Sequence, residues 1–200
     1  MSAPASSGNT ADRWITTCEL TDLVARLCRA MDRLDEAAIA ACYSDPSFDD
    51  HGAFKGSGQD FAAYLCASPI PPTHHLLGQS VVDIDGDQAW GETYFVMHGL
   101  GAHPAYGRYI DYFQRSGATW KLTYRRVVPD ATVPGDASTY WRATRNRDDP
   151  AYDRLRWPPQ QTWEEAPGGA SGISKATTER LDQSGAGGTN RRPHDASARP

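Results

Sequence analysis

No apolar run in this 200-residue chain approaches the roughly 18 residues of a membrane-crossing helix, so no span is expected. Lysine and arginine form no block. The 20 basic residues are scattered among 25 acidic ones and the net charge is -5, which argues against a nucleic-acid surface, where clustered cations face phosphate. Cysteine is scarce: Cys18, Cys28, Cys42 and Cys66 make no CxxC motif and fall among apolar residues in helix-like segments. Buried, reduced thiols are expected there, not a zinc site or a disulfide frame. The opening MSAPASSGNTADRW lacks a basic stretch followed by an apolar one, so a disordered leader over 1–12 and a cytoplasmic protein are the expectation. No internal repeat is present.

What the chain does hold is enough for one core with polar extensions. Hydrophobic residues reach 39%, yet 18 glycines, 14 prolines and a mean hydropathy of -0.61 leave part of the chain outside that core. Leu20, Leu23, Val24, Leu27, Cys28 and Met31 recur at spacings of three and four, which predicts an amphipathic helix over 16–34. Asp35 caps a short second helix over 36–43, and Asp45-Pro46 ends it. Ser57 opens a third, over 59–68, which Pro69, Pro71 and Pro72 stop.

The period then changes to two. Strands are expected over 73–83, 89–98, 107–115 and 120–128, the first two joined at Asp85-Gly86. Three helices before a meander of long strands is an α+β layout, with a folded domain over 13–132. Residues 133–163 mix prolines with Tyr140, Trp141, Tyr152, Trp157 and Trp163 and read as an extension that lies over the body or a neighbouring subunit. From 164 on, Gly, Ser, Ala, Thr and Pro dominate beside five basic and five acidic residues, the composition of a disordered tail.

The chemical signal is in the histidines, five of six of which fall between 51 and 103. Alternation puts His75, Leu77, Gln79 and Val81 on one face, Trp90, Glu92, Tyr94, Val96 and His98 on another, and Gly107, Tyr109, Asp111 and Phe113 on a third. Lys121, Thr123, Arg125 and Val127 share a face of the last strand. His75, His98, Asp111 and Arg125 are thus polar groups able to converge on a curled sheet, with an Asp111–Arg125 cross-strand ion pair as the structural alternative. Asp32 lies near the C-terminal end of the first helix, where the dipole disfavours an acid. Orienting a histidine is one use for it; a solvated turn is the other.

Six segments follow one another in an order that resembles the SnoaL-like branch of the nuclear-transport-factor-2-like superfamily over roughly residues 11–130. They are AMDRLD, Tyr43-Ser-Asp45, Phe48-Asp-Asp-His51-Gly, Thr73-His-His75-Leu-Leu-Gly, Val82-Asp-Ile-Asp-Gly-Asp87-Gln-Ala, and the run from Trp120 to Asp130. The resemblance implies a cone-shaped α+β barrel, three N-terminal helices packed on a strongly curved, mostly antiparallel sheet. In the similar scytalone dehydratase, bile-acid 7α-dehydratase and hexachlorocyclohexane dehydrochlorinase, an Asp ending the first long helix pairs with a His opening the first long strand. Asp32 and His75 match those places, while Met31 stands where scytalone dehydratase has a tyrosine.

The resemblance further implies acid–base elimination without cofactor or metal. His75 is the expected base, Asp32 its orienting partner, and His98 or His51 the donor to the leaving oxygen. Arg125, tied to Asp111, would hold a substrate oxygen; Phe48, Phe61, Leu77, Phe95, Met97 and Tyr109 would form the wall. The implied substrate is a small hydrophobic hydroxy-carbonyl of polycyclic, polyketide, steroid or terpenoid type. An isomerase or cyclase on such compounds, or a non-catalytic binding protein for them, is the alternative, and His51, His75, His98 and Asp49 as metal ligands a further one. A homo-oligomer, dimer or trimer, is expected through Trp90, Tyr94 or Tyr112 if their rings point outward.

Overall fold

The computed structural model describes residues 10–100, 104–131 and 147–152. The leader's first residues, the loop over 101–103, most of the extension and the tail lie outside them. Helix α1, Thr10–Met31, buries Leu20, Leu23, Val24, Leu27, Cys28 and Met31, the stripe that spacing predicts. Each such large side chain removed from water stabilises by about 1.5–3 kcal/mol. The helix begins at Thr10, not Thr16, with Trp14 and Ile15 exposed, so the expected leader is shortened. It ends at Met31 because the chain reverses through Leu34, whose φ is +51°.

Helix α2, Glu36–Cys42, starts where the Asp35 carboxylate accepts the Ala38 N–H at 3.1 Å. Helix α3, Gly58–Ala67, is capped by Ser57 Oγ, which accepts the Asp60 N–H at 3.0 Å. Cys28 and Cys42 are buried as expected; Cys66 is half-buried and Cys18 is exposed, since it lies off the apolar stripe.

Six strands form one curved sheet in the order β2-β1-β6-β5-β4-β3: β1 Tyr43–Asp50, β2 Lys55–Gly56, β3 Thr73–Asp85, β4 Gln88–Gly99, β5 Ala105–Ser116 and β6 Thr119–Ala131. All neighbours are antiparallel except β1 and β6. Gly86, at φ +60°, makes the tight turn between β3 and β4. The helices cover the inner face, and their buried residues join Ala89, Phe95, Tyr109, Phe113, Trp120, Leu122 and Val127 in the main core. The chain is an α+β fold of helices on one face of a mostly antiparallel sheet.

Two irregularities change which residues face that core. Gly78 and Gln79 stand opposite Tyr94 alone, so the inward phase of β3 passes from His75 and Leu77 to Ser80, Val82 and Ile84; the expected face continuing through Gln79 and Val81 is broken there. In β6, Thr123 is the extra residue, since Tyr112 faces Tyr124 and Phe113 faces Leu122. Lys121 and Arg125 therefore do not share a face. Lys121 instead reaches the Ala41 carbonyl at the end of α2.

The outer face carries a second cluster, Phe48, Tyr112 and Tyr124 with Trp90 packed against it, and a third, Ile110, Val128 and Ala151. Ala151 belongs to a short 3-10 turn, Pro150–Tyr152, within the extension. At that turn Ala151 packs on Ile110 and Val128. The rings expected at an oligomer surface do point outward, but Tyr112 is only 2% exposed against 38% for Tyr94, so the strip is not a free face. Among the described residues no helix is long and apolar enough to cross a membrane.

Candidate active site

The first pair comes from two chain ends meeting. Helix α1 stops at Met31, the Asp32 N–H still bonded to the Cys28 carbonyl at 2.9 Å, and the carboxylate turns toward the start of β3. There it accepts three bonds: from Thr73 Oγ1 at 2.8 Å, from the His75 backbone N–H at 3.0 Å and from His75 Nδ1 at 2.6 Å. A carboxylate held at both oxygens cannot rotate, and it fixes the His75 ring with Nε2 turned away from Asp32. Burial would raise the Asp32 carboxyl, but the bonds from His75 and Thr73 outweigh it and hold the group below its ordinary range. Burial also pushes the His75 imidazole below its usual value, against the pull of Asp32. An ionised Asp32 beside a neutral His75 is a base at rest.

Strand β1 builds a second pair. Asp49 and His51 lie on the same side two residues apart, and His51 Nδ1 meets Asp49 Oδ1 at 2.7 Å. Tyr43 donates its hydroxyl to the other Asp49 oxygen at 2.5 Å. The His51 ring stacks on Phe61 at 4.5 Å and 16°. Tyr109 stands between the two histidines' surroundings: its ring is 6.4 Å from that of His51 and stacked on Phe95 at 4.3 Å, and Phe95 is 6.3 Å from His75. Neither histidine's Nε2 has a hydrogen-bond partner among the described residues.

Arg125 closes the group from β6. Its Nε and Nη2 donate to the two oxygens of Asp111, both at 2.8 Å, and its guanidinium lies 3.9 Å from the Tyr109 ring centre. Arg125 is fully buried, and its Nη1 has no partner among the described residues. Burial opposes its charge, but Asp111 holds the guanidinium well above its ordinary range, so it stays protonated. Cys28 approaches the Tyr109 hydroxyl from α1, and burial lifts its thiol to about 11.

Of the expected site residues, Asp32, His75, His51, Tyr109, Asp111, Arg125 and Phe95 face this inner side. His98 does not: it is exposed and pairs across β3–β4 with His74, while His75 pairs with Met97, so alternation sends it to the outer face. Phe48 is also misplaced, since it stacks on Tyr124 at 5.8 Å on the outer face. Asp49, half of the second pair, enters the sequence reading only as a metal ligand, although its place two residues before His51 on an extended segment is a visible sign. Among the described residues no three His, Cys, Asp or Glu side chains come together in a way that could hold a metal ion.

Three helices on one face of a curved, mostly antiparallel sheet that does not close is the architecture of the nuclear-transport-factor-2-like class. A family model described as a SnoaL-like domain matches residues 16–126, and the chain belongs to that family. A search of curated proteins gives no match. Among solved structures, a Mycobacterium tuberculosis protein of unknown function is 24% identical with a TM-score of 0.56, covering 63% of this chain and 84% of its own. A Novosphingobium aromaticivorans protein provisionally assigned as a scytalone dehydratase is 14% identical with a TM-score of 0.57, covering 64% and 93%. A type 2 hexachlorocyclohexane dehydrochlorinase is 17% identical with a TM-score of 0.56, again covering 64% and 93%. These likenesses concern the fold.

Proposed function

We propose that the chain is a cofactor-independent lyase that removes water from a hydrophobic hydroxy-carbonyl compound of polycyclic, polyketide, steroid or terpenoid type. The observation that carries the reading is the 2.6 Å bond from His75 Nδ1 to a fully engaged Asp32, which leaves Nε2 as the proton acceptor. His75 would take the proton from the carbon beside the carbonyl, and Asp32 would stabilise the imidazolium that forms. Arg125 Nη1, buried and unpartnered, suits the carbonyl oxygen as it gains charge. Phe95, Tyr109, Leu77 and Met97 supply an apolar wall. On this face His51 is the imidazole left to protonate the departing hydroxyl. The fold of proteins named as a scytalone dehydratase and a dehydrochlorinase agrees with elimination.

The test is a panel of ring-fused β-hydroxy-ketones incubated with the protein in deuterated water. Loss of one water, seen by mass spectrometry and absent with His75→Gln, supports the reading. Deuterium entering beside the carbonyl with no mass lost marks an isomerase, which uses the same base. Ring closure marks a cyclase. Tight binding of the panel with no change of any compound would replace the lyase with a binding protein.

A further inference from the structure

We propose that Tyr43 and Asp49 are positioning residues forming a second relay, Tyr43–Asp49–His51, which fixes the proton on His51 Nδ1 and makes Nε2 its proton-transfer atom opposite His75. In the elimination this gives each histidine one task, a role that rests on the reading above. His75 Nε2 accepts the proton from carbon, the C–H electron pair becomes the new C=C bond, the C–O bond breaks with its pair going to oxygen, and protonated His51 supplies its Nε2 proton so that water leaves; His75 then returns its proton to solvent. His51 then keeps its Nδ1 proton on Asp49 and regains the other from solvent, which its 22% exposed side chain meets.

The geometry is over-determined in a way a chance contact is not. Asp49 is 0% exposed, and its oxygens are divided between His51 at 2.7 Å and Tyr43 at 2.5 Å. A hydroxyl donating to one oxygen leaves the other to accept from the ring nitrogen, which sets the tautomer. Tyr43 is itself fixed, for a Cβ on Gly58 would lie 2.1 Å from its ring. That glycine is required for α3 to start against the tyrosine. Phe61, stacked on His51, holds the plane of the ring. Burial first, and a charge on His51 in smaller measure, lower His75, which disfavours two imidazoliums side by side.

Nitrogen NMR of the full chain with labelled histidine reads the tautomer directly. Neutral His51 is expected to carry its proton on Nδ1 in the wild type. In Asp49→Asn, with Tyr43 still donating to the amide oxygen, the amide NH2 faces the ring and the proton moves to Nε2, while the His75 signals stay in place. With a hydroxy-ketone that the wild type dehydrates, Asp49→Asn should lower kcat by about 10²- to 10⁴-fold with little change in KM. Tyr43→Phe should keep the tautomer and shift the low-field Nδ1 proton. A wild-type His51 protonated on Nε2, an unchanged His51 in Asp49→Asn, or wild-type kcat in that variant would overturn the relay. If Asp49→Asn fails to fold, the wild-type tautomer and the Tyr43→Phe proton shift decide alone. The expected tautomers with no compound in the panel dehydrated would remove the lyase and leave the positioning of His51 standing.

Discussion

Two buried arginines on opposite faces of one sheet are treated in opposite ways. Arg108, on the outer face of β5, meets Glu92 at 2.8 Å, Asp130 at 2.9 Å and Asp149 at 2.8 Å, with both ends of its guanidinium occupied. Arg125, on the inner face of β6, has Asp111 and an aromatic ring, and one nitrogen with nothing. A buried donor without a partner costs about 1–3 kcal/mol, so of the two arginines only the inner one carries that cost. The histidines follow the same division. His74 and His98 lie exposed on the outer face, whereas His51 and His75 each give one nitrogen to a carboxylate and keep the other free on the inner face. Among the described residues Trp90 Nε1 and Trp120 Nε1 are also buried without partners, so an orphaned donor alone does not mark a site. The inner face is distinguished by having an orphaned guanidinium and two free imidazole nitrogens together.

The largest expected effect separates the faces by function. Asp32→Asn should lower turnover of a dehydrated hydroxy-ketone by about three to four orders of magnitude, through the wrong His75 tautomer, with a stability loss of only about 1–3 kcal/mol as one acceptor oxygen becomes an amide NH2. Arg108→Met should do the reverse. It removes the cation that Glu92, Asp130 and Asp149 share and should cost about 3–5 kcal/mol in urea unfolding, with the Asp32–His75 proton signal unchanged. Equal losses of activity in the two variants would erase the distinction between the faces. Arg125→Met should also cost about 3–5 kcal/mol by leaving Asp111 buried and unpaired, and Asp111→Leu added to it should return part of that loss.

How far this division is legible in the sequence depends on which structural fact each residue needs. Asp32 and His75 are legible because a helix end and a strand start both leave marks, the end of a stripe and a run of prolines. Asp111 and Arg125 are legible only as opposite charges on neighbouring strands, since the Ser116-Gly117 turn by itself would set Asp111 opposite Tyr124 and the extra residue Thr123 is what brings Arg125 there. His98 and Phe48 fail for another reason: alternation sorts a strand into two faces without saying which one the helices cover. The bulges at Gly78-Gln79 and Thr123 change the phase midway; a lone strand glycine marks the first, and Thr123 leaves no mark. Arg108 escapes notice because Asp149, one of its partners, comes from an extension with no periodic pattern.

A smaller effect tests the resting charge of the inner pair. The folded His75 titrates below its usual 6.5, so between those values the unfolded chain binds more protons than the folded one. Stability from this group is therefore complete above about pH 6.5 and lost as pH falls toward the lowered value. Asp32, held below 3.8, adds its own loss as the pH falls further, below that value. His75→Gln should flatten the upper part of the stability curve measured by urea unfolding between pH 7 and 5, with the lower part kept. An unaltered upper slope would place the titrating group elsewhere.

The smallest expected effect concerns how the outer face is closed. Asp149 is 4% exposed, bonds Arg108 at Nη1 and Nη2, and accepts the Ala151 N–H at 3.0 Å, which seats Ala151 on Ile110 and Val128. Because Glu92 and Asp130 would still hold Arg108, Asp149→Ala should cost about 1 kcal/mol rather than the larger penalty of losing the arginine. Its effect should be local, with faster amide exchange at Ala151 and Tyr152 and no change at His75 or Thr73. That result would make the extension a separate layer laid on a finished domain. Exchange that quickened across Ile110 and Val128 as well would mean that the outer face depends on the extension for its core, and the two faces would then differ in chemistry but not in how much each contributes to folding.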